Sequence, residues 1–398
     1  MRTTAKQVLI LGAGFGGLAS ANLLRKSLTQ EECKITVIDK SQYFMMGLVN
    51  LWILSGSRRL EDSRIALDKL EEKGIKFLNH KITSIDLSDK SVTTVTTGDK
   101  TNNNNKLVYD YLIIALGAEL ASDQIDGFRD NDCCFNVYDA QHIPNLREKI
   151  LSLKSGRIVI CIADIPYKCP PAPYEISLLI NDVLAKNGTR DSIDLEMYVP
   201  TPISLPVAGA NTSLDVVNLL DGNHIKFYPL HKLKKVMDKN MIEFENGNKI
   251  NYDLLIVIPP HQVPKVIKNS ELAEGNQGWI DVDRFTLRTK YRDVFAIGDV
   301  TEIKLDNSIT IPKAGIFAEG EAKVVSQQII NEITNNNSSA KFDGKGFCFM
   351  EIGNKKAGYI DADFYNESGP TVRLDPPSEV LYQRKLDFER SRLNDWLS

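Results

Sequence analysis

The sequence lacks the marks of an exported or membrane-spanning chain. Residues 1–6 are short and polar, without the longer apolar stretch and small-residue cleavage site of a secretory signal. No stretch approaches the roughly 18 consecutive apolar residues that cross a bilayer as a helix. We therefore expect a cytoplasmic protein, either soluble or attached peripherally to the inner face of the cell membrane.

An excess of one charge and a metal-binding cysteine pattern are also missing. The 48 basic and 52 acidic residues give a net charge of −4, and basic residues do not cluster with aromatics, so no nucleic-acid partner is predicted. The cysteines show no C-x-x-C spacing and no nearby histidine, so no metal site is predicted. A structural disulfide framework is not expected in a large intracellular chain, which makes any disulfide here a candidate for catalysis.

Length and composition favour a globular chain of several domains. The sequence has 398 residues, of which 42% are hydrophobic and 25% charged. Residues 7–12, 15–28 and 34–38 predict a strand, a helix and a second strand, which together form one βαβ unit. Residues 107–116 predict a further strand, and the polar segment 102–105 before it predicts a turn.

A second α/β unit is predicted to begin at Gly156. Its strands are expected at 157–162 and 194–199, with a helix at 174–186 between them. Residues 252–258 repeat the pattern of residues 109–115, which indicates a faint internal duplication. The chain is therefore predicted to contain two similar α/β domains.

The most specific motif is a glycine-rich turn after the first predicted strand. Gly12, Gly14 and Gly17 have the spacing of a dinucleotide-binding turn, and Phe15 and Gly16 complete the segment. These glycines allow a tight turn, close approach of a pyrophosphate and close packing of helix on strand. The phosphates are expected at the positive end of the following helix.

Two residues at the end of the second predicted strand extend this cofactor site. The carboxylate of Asp39 is placed to accept hydrogen bonds from both ribose hydroxyls of a dinucleotide. Its neighbour Lys40 is included in the predicted cofactor site. Taken by itself, the glycine motif also fits a strand–helix turn that binds no ligand.

Two later segments resemble FAD contacts of the pyridine nucleotide-disulfide oxidoreductase superfamily. Gly117 follows a predicted strand, although Leu116 replaces the small hydroxyl residue that is usual before it. Gly298 and Asp299 end another strand, and the resemblance places Asp299 on the ribityl chain of FAD. The resemblance also places Lys313 near the N1–C2=O edge of the flavin, the alternative being a solvated lysine at a helix start. The implied cofactor is FAD.

The second predicted domain lacks the glycines that a nicotinamide dinucleotide needs. Residues 158–171 form its strand and turn and contain no glycine, whereas prolines remove donor N–H groups there. We therefore expect a degenerate dinucleotide fold, and electrons that enter by another route.

The altered turn carries a cysteine motif. Residues 169–175 read Cys-Pro-Pro-Ala-Pro-Tyr-Glu and resemble the redox-cysteine motif of flavocytochrome c sulfide dehydrogenase flavoproteins. The neighbouring sulfide:quinone oxidoreductase family is similar, with a cysteine in the same turn. By this resemblance Cys169 and Cys348 form a redox pair beside the flavin, and Glu175 relays protons. The alternatives are an inert loop cysteine, a buried strand cysteine and a glutamate that only favours the helix start.

The two families differ in a third cysteine and in whether the flavin is linked covalently to the protein. Cys134, or its neighbour Cys133, lies near the third cysteine of sulfide:quinone oxidoreductases, the alternative being a structural pair. Residues 43–47 contain no cysteine where flavocytochrome c proteins attach FAD covalently, so no such linkage is expected.

The resemblance implies an α/β fold with two Rossmann-like dinucleotide-binding domains. The FAD domain is predicted to be discontinuous, over residues 1–150 and 263–340. Residues 151–262 are assigned to the degenerate domain that carries Cys169. Residues 341–398 are assigned to a carboxy-terminal region of two strands and a helix.

The implied function is oxidation of sulfide to sulfane sulfur, with two electrons passed through FAD to a membrane quinone. Transfer to a cytochrome partner, an NAD(P)H-linked disulfide or quinone reductase, and a flavin-bearing binding protein remain open alternatives. The predicted helix 379–397 either lies in a membrane interface or packs on its own domain or on a second copy in a homo-oligomer.

Overall fold

The computed structural model describes residues 4–99, 104–129, 133–238, 240–305 and 309–398. The predicted polar turn at 102–105 falls partly outside the described residues, and a strand begins at Asn104. The helices are α1 Phe15–Ser27, α2 Val49–Ser55, α3 Ile143–Ser152, α4 Ala172–Lys186, α5 Gly209–Asp221, α6 Lys265–Lys268, α7 Gly315–Thr334 and α8 Glu379–Leu397.

The strands fall into several sheets. The first nine strands are β1 Lys6–Leu11, β2 Cys33–Asp39, β3 Tyr43–Phe44, β4 Ile65–Ala66, β5 Lys76–Asp86, β6 Ser91–Thr96, β7 Asn104–Val108, β8 Tyr111–Ile114 and β9 Glu119–Leu120. The next are β10 Cys134–Asn136, β11 Gly156–Ile162, β12 Ile193–Tyr198, β13 Lys226–Tyr228, β14 Leu233–Met237, β15 Met241–Phe244, β16 Lys249–Asn251, β17 Leu254–Ile258 and β18 His261–Gln262. The last are β19 Ile280–Asp281, β20 Val294–Ala296, β21 Thr301–Glu302, β22 Lys345–Gly353, β23 Lys356–Asp363 and β24 Thr371–Ser378.

The first sheet has the order β20-β8-β1-β2-β5-β6-β7. Its core strands are parallel, and residues 8–11 of β1 and the whole of β8 are buried apolar runs, as is typical of strands covered on both faces. Strand β20 comes from the segment after the second domain and pairs with β8, which confirms the discontinuous FAD domain.

The second sheet has the order β10-β17-β11-β12-β13, and its strands are parallel. Strand β17 lies beside β11 in the second sheet, and β8 lies beside β1 in the first. The two segments with the repeated pattern, 109–115 and 252–258, therefore occupy equivalent positions in the two sheets. Strand β10 joins the second sheet although the sequence placed residues 1–150 in the first domain.

One strand prediction is wrong. Residues 107–116 do not form a single strand, because β7 ends at Val108 and β8 begins at Tyr111. Tyr109 N donates to Lys90 O and Asp110 N donates to Gln7 O, so the chain turns between the antiparallel hairpin and the parallel core. The sequence did not reveal this turn because the strands on both sides of it contain apolar residues.

The carboxy-terminal region has three antiparallel strands, β22 to β24, rather than the predicted two. The missed strand contains Pro376 and Pro377 just before its last residue, Ser378, which an edge strand tolerates. Helix α8 packs on its own chain, where Trp396 and Leu397 are buried. Among the described residues, none of the helices combines the length and apolar character needed to cross a membrane.

Candidate active site

A cavity of about 520 Å³ lies where the carboxyl ends of both parallel sheets meet strand β22 and helix α8. Such edges of parallel sheets are the usual ligand sites of α/β folds. The predicted site residues that line this cavity are Gly14, Phe15, Gly16, Asp39, Gly117, Cys169, Glu175, Gly298, Asp299, Lys313 and Cys348.

The glycine-rich turn has the backbone geometry that a bound pyrophosphate requires. Gly12 has a φ of +101°, and a Cβ there would lie 2.3 Å from the carbonyl oxygen of Ala115. A Cβ at Gly17 would lie 1.9 Å from the carbonyl oxygen of Gly12, so helix α1 packs on β1 only with glycine there. Gly14 has no heavy atom within 4 Å of a built Cβ and opens directly on the cavity.

Asp39 occupies the position expected of a ribose-binding carboxylate. Its Oδ2 accepts from Ala13 N at 2.7 Å and its Oδ1 accepts from Ser41 N at 2.7 Å, which fixes the carboxylate at the cavity wall. Lys40 is exposed and is not among the described residues that line the cavity.

Asp299 and Lys313 lie together at the other end of the predicted cofactor site. The Lys313 ammonium donates to the carbonyl oxygens of Asp299 at 2.7 Å and Thr301 at 2.9 Å, and it lies 3.6 Å from the ring centroid of Trp279. Burial lowers the pKa of Lys313 to about 8, against the opposing charge of Asp299.

These residues fit FAD. The bare backbone at Gly14 would admit a pyrophosphate, the held carboxylate of Asp39 would accept hydrogen bonds from an adenosine ribose, and Asp299 with Lys313 lies toward the cysteines. When bound, FAD supplies an acceptor that takes an electron pair and passes it on.

Cys169 lies in a strained turn at the start of α4. Its φ is +53°, a left-handed conformation that a residue with a Cβ seldom adopts. Cys169 N donates to Lys313 O at 2.6 Å, and Ala172 N donates to Cys169 O at 2.9 Å. The turn is thus tied both to its own helix and to the segment that carries Lys313.

The structure brings Cys169 and Cys348 to the same cavity. Burial raises the pKa of Cys169 to about 12, helped by the charge of Glu175 and opposed by Lys385. Burial and the neighbouring Cys169 raise the pKa of Cys348 well above its usual range. Lys385 is therefore the cation that favours a thiolate at Cys169.

Glu175 belongs to a buried network that sequence reasoning missed. Lys385 Nζ lies 2.7 Å from Glu175 Oε1 and 3.0 Å from Glu351 Oε2. Trp52 Nε1 donates to the same Glu351 oxygen at 3.1 Å, and Glu351 N donates to Glu175 at 2.8 Å. Burial raises the pKa of Glu175, and Lys385 opposes that rise.

One signal in the sequence points to Lys385. Leu381, Lys385, Phe388 and Trp396 follow helical spacing, so this lysine lies on the apolar side of the tail helix. A lysine on such a side is rarely buried without a carboxylate partner. The sequence did not indicate which carboxylates pair with Lys385, because Glu175 and Glu351 are far away along the chain.

Aromatic rings form the wall between the dinucleotide turn and β22. Phe388 lies 6.3 Å from Phe15 and 5.6 Å from Phe347, measured between ring centroids. Phe349 lies 6.0 Å from Phe388. Phe347, Phe349 and Phe388 all line the cavity and give it an apolar end beside Lys385.

Cys134 is not brought to this cavity. It lies in β10, 1% exposed, in a hydrophobic cluster with Cys161 and Leu255. Cys133 packs against the same cluster. The predicted catalytic role of Cys134 is opposed by this placement, since β10 directs the side chain into the core of the second domain.

A glycine-rich FAD turn, two α/β domains and a cysteine in place of the second turn define a two-domain flavin oxidoreductase. The sequence matches the pyridine nucleotide-disulphide oxidoreductase family over residues 6–161 and 201–331. The chain belongs to that family and is an FAD-dependent oxidoreductase.

Known proteins similar to this chain include two kinds of quinone reductase. The sulfide-quinone reductase of Aquifex aeolicus is 28% identical over 373 residues, which cover 90% of this chain and 84% of that protein. The solved sulfide:quinone oxidoreductase structure from the same bacterium has a TM-score of 0.86 at 26% identity and covers 99% of this chain and 92% of its own. The type II NADH:quinone oxidoreductase of Staphylococcus haemolyticus is 33% identical over 387 residues, which cover 90% of this chain and 94% of that protein.

Proposed function

We propose that this chain oxidises sulfide through a Cys169–Cys348 redox pair and passes the electron pair through FAD to a membrane quinone. The observation that carries the proposal is that two cysteines from distant segments line one cavity with the FAD-binding turn. Relatives named sulfide-quinone reductase and sulfide:quinone oxidoreductase support the same substrates.

The chemistry begins from the oxidised pair. A hydrosulfide anion attacks the sulfur of Cys169. A sulfur–sulfur bond forms between them, the bond from Cys169 to Cys348 breaks, and Cys348 leaves as a thiolate. Because burial raises the pKa of Cys348, this thiolate is a strong nucleophile and a ready electron donor.

A second hydrosulfide then releases the sulfane sulfur from Cys169. It bonds to the outer sulfur of the persulfide, and the Cys169 sulfur departs with the bonding pair. Two hydrosulfides thus become one hydrodisulfide, a proton and two electrons. Bound FAD would supply the acceptor for this electron pair, and the two cysteine sulfurs return to the disulfide.

Glu175 and Lys385 are proposed to move the proton. Both lie at the cavity wall, and Lys385 Nζ is 2.7 Å from Glu175 Oε1. The raised pKa of Glu175 lets this carboxyl hold a proton closer to neutrality than an ordinary glutamate does. Lys385 keeps the site electrically balanced when Glu175 gives that proton away.

The apolar end of the cavity supports a quinone as acceptor. Phe347, Phe349 and Phe388 give this end of the cavity aromatic walls that suit a quinone ring, and Lys385 lines the same cavity. The similarity to a type II NADH:quinone oxidoreductase favours NADH as an alternative donor. The glycine-free turn at 158–171 opposes it, because its Cys169 N–H already donates to Lys313.

Anaerobic titration of the purified FAD-loaded protein with sulfide tests the proposal. Sulfide is expected to bleach the visible flavin band, and added quinone is expected to restore it. Cys169→Ala and Cys348→Ala should abolish bleaching by sulfide, whereas dithionite should still bleach both variants. Cys33→Ala, at a buried position in β2 outside the cavity, is the matched control and should behave as the parent protein.

Two results would count against the proposal. Rapid bleaching by NADH with none by sulfide would assign the protein to the NADH-linked class. Full sulfide bleaching in either cysteine variant would remove the redox pair from the mechanism while keeping FAD.

A further inference from the structure

Tyr138 lies next to the redox turn for a topological reason. Strands β10, β17 and β11 are neighbours in the second sheet and run parallel. The residues after their carboxyl ends therefore meet at one edge of the sheet. Tyr138 follows β10, His261 follows β17, and Cys169 lies in the turn after β11.

Tyr138 makes a hydrogen bond to the backbone of that turn. Its hydroxyl donates to the carbonyl oxygen of Lys168 at 2.9 Å, the peptide group immediately before Cys169. The residue is held at two points, since its backbone N–H donates to Asn136 Oδ1 at 3.0 Å and its ring centroid lies 5.6 Å from that of His261, edge to face. Tyr138 also lines the active-site cavity.

The conformation of Cys169 needs such support. Its φ of +53° lies in the left-handed region, which is sterically unfavourable for a residue with a Cβ. Such strain persists only where the surrounding contacts hold the residue in place. Cys169 N donates to Lys313 O, and Ala172 N donates to Cys169 O. Tyr138 fixes the preceding carbonyl, so both peptide groups that flank the Cys169 Cα are held.

We propose that Tyr138 is a positioning residue that holds the Cys169 thiol in reach of Cys348. The proposal rests on the redox pair proposed above. Without the Tyr138 hydroxyl, the peptide between Lys168 and Cys169 is free to rotate toward a relaxed conformation. The Cys169 sulfur then spends less time facing Cys348, which weakens disulfide formation and slows sulfide attack without touching the FAD turn.

Tyr138→Phe tests this, because it removes the hydroxyl and keeps the ring against His261. The FAD-loaded protein is equilibrated in glutathione buffers, and the fraction of Cys169–Cys348 disulfide is measured by alkylation and peptide mass spectrometry. Loss of one hydrogen bond is expected to lower the equilibrium constant for disulfide formation about tenfold, which raises the potential of the pair by about 30 mV. Bleaching by sulfide should slow by a similar factor, whereas bleaching by dithionite should not change.

Tyr198→Phe is the matched control. Tyr198 is a buried tyrosine of the same sheet whose hydroxyl donates to Glu196 Oε2 at 2.9 Å, away from the cavity. This variant should keep the disulfide equilibrium and the sulfide rate of the parent protein.

Each outcome decides the matter. A selective loss in Tyr138→Phe supports the positioning role. Equal behaviour of Tyr138→Phe and the parent protein, or equal losses in both tyrosine variants, overturns the positioning role and leaves the redox pair standing. A parent protein that forms no Cys169–Cys348 disulfide in any buffer overturns the redox pair and, with it, the role of Tyr138.

Discussion

Replacing Lys385 with methionine should destabilise the protein, and more so at alkaline pH. Lys385 is 2% exposed and lies between Glu175 and Glu351, at 2.7 Å and 3.0 Å. Methionine fills most of the space of the lysine stem but leaves two buried carboxylates without a cation. Removing one partner from a buried ion pair costs about 3–5 kcal/mol, because the remaining charge is desolvated and unpaired.

The pH dependence follows from the direction of the Glu175 pKa. Burial already raises it above the value in the unfolded chain, and loss of Lys385 removes the main opposing charge. A carboxyl whose pKa is higher in the folded state contributes stability at acid pH, which is lost as the pH rises through that pKa. Each unit of pKa difference is worth about 1.4 kcal/mol, so the cost of Lys385→Met should be largest near pH 8 and smaller near pH 5.

Urea unfolding at both pH values, at fixed free FAD and followed by circular dichroism, measures the effect. Lys323→Met is the matched control, since Lys323 is 62% exposed and lies 3.4 Å from Glu319. Because Lys323 is exposed and Arg392 also pairs with Glu319, loss of this lysine should cost only about 0–1 kcal/mol at either pH. The reasoning is refuted if Lys385→Met costs no more than Lys323→Met at pH 8, or if its cost grows toward pH 5.

Three further predictions concern single residues. Gly12→Ala should lower the ratio of bound flavin absorbance to protein absorbance at least tenfold, because a Cβ there would lie 2.3 Å from Ala115 O at a φ of +101°; normal flavin content would contradict this. Trp52→Phe should cost about 1.5–3 kcal/mol in urea unfolding, since it removes the indole donor to Glu351, and a loss under about 0.5 kcal/mol would mean that this bond matters little. Burial raises the pKa of Glu321 from 4.5 to about 7, so stability from its protonated form should fall by about 3 kcal/mol as the pH rises from 4.5 to 7. Glu321→Gln should flatten that pH profile, and an unchanged slope would assign it to other groups.

Much of the fold was predictable because its signals are local. Short windows of sequence contain the apolar runs of β1 and β11 and the glycine spacing at 12–17. Residues within such a window are enough to predict a strand or a tight turn. The absence of glycine at 158–171 was equally local, and so was the recognition of a family through the Cys169 motif. The missed strand β24 and the false strand at 107–116 came from edge and turn positions, where composition separates strand from loop poorly.

The sequence by itself determined which chemical groups are present: an FAD-binding turn, a cysteine in place of a second such turn, and a tail with a lysine among apolar residues. Only the tertiary structure decided which groups meet. It placed Cys348 and Cys169 at one cavity, placed Cys134 in a separate hydrophobic cluster, and brought Lys385 within hydrogen-bond distance of Glu175. The physical reason is that these contacts depend on the order of strands in two sheets and on how helix α8 folds back, and neither is encoded in any short segment.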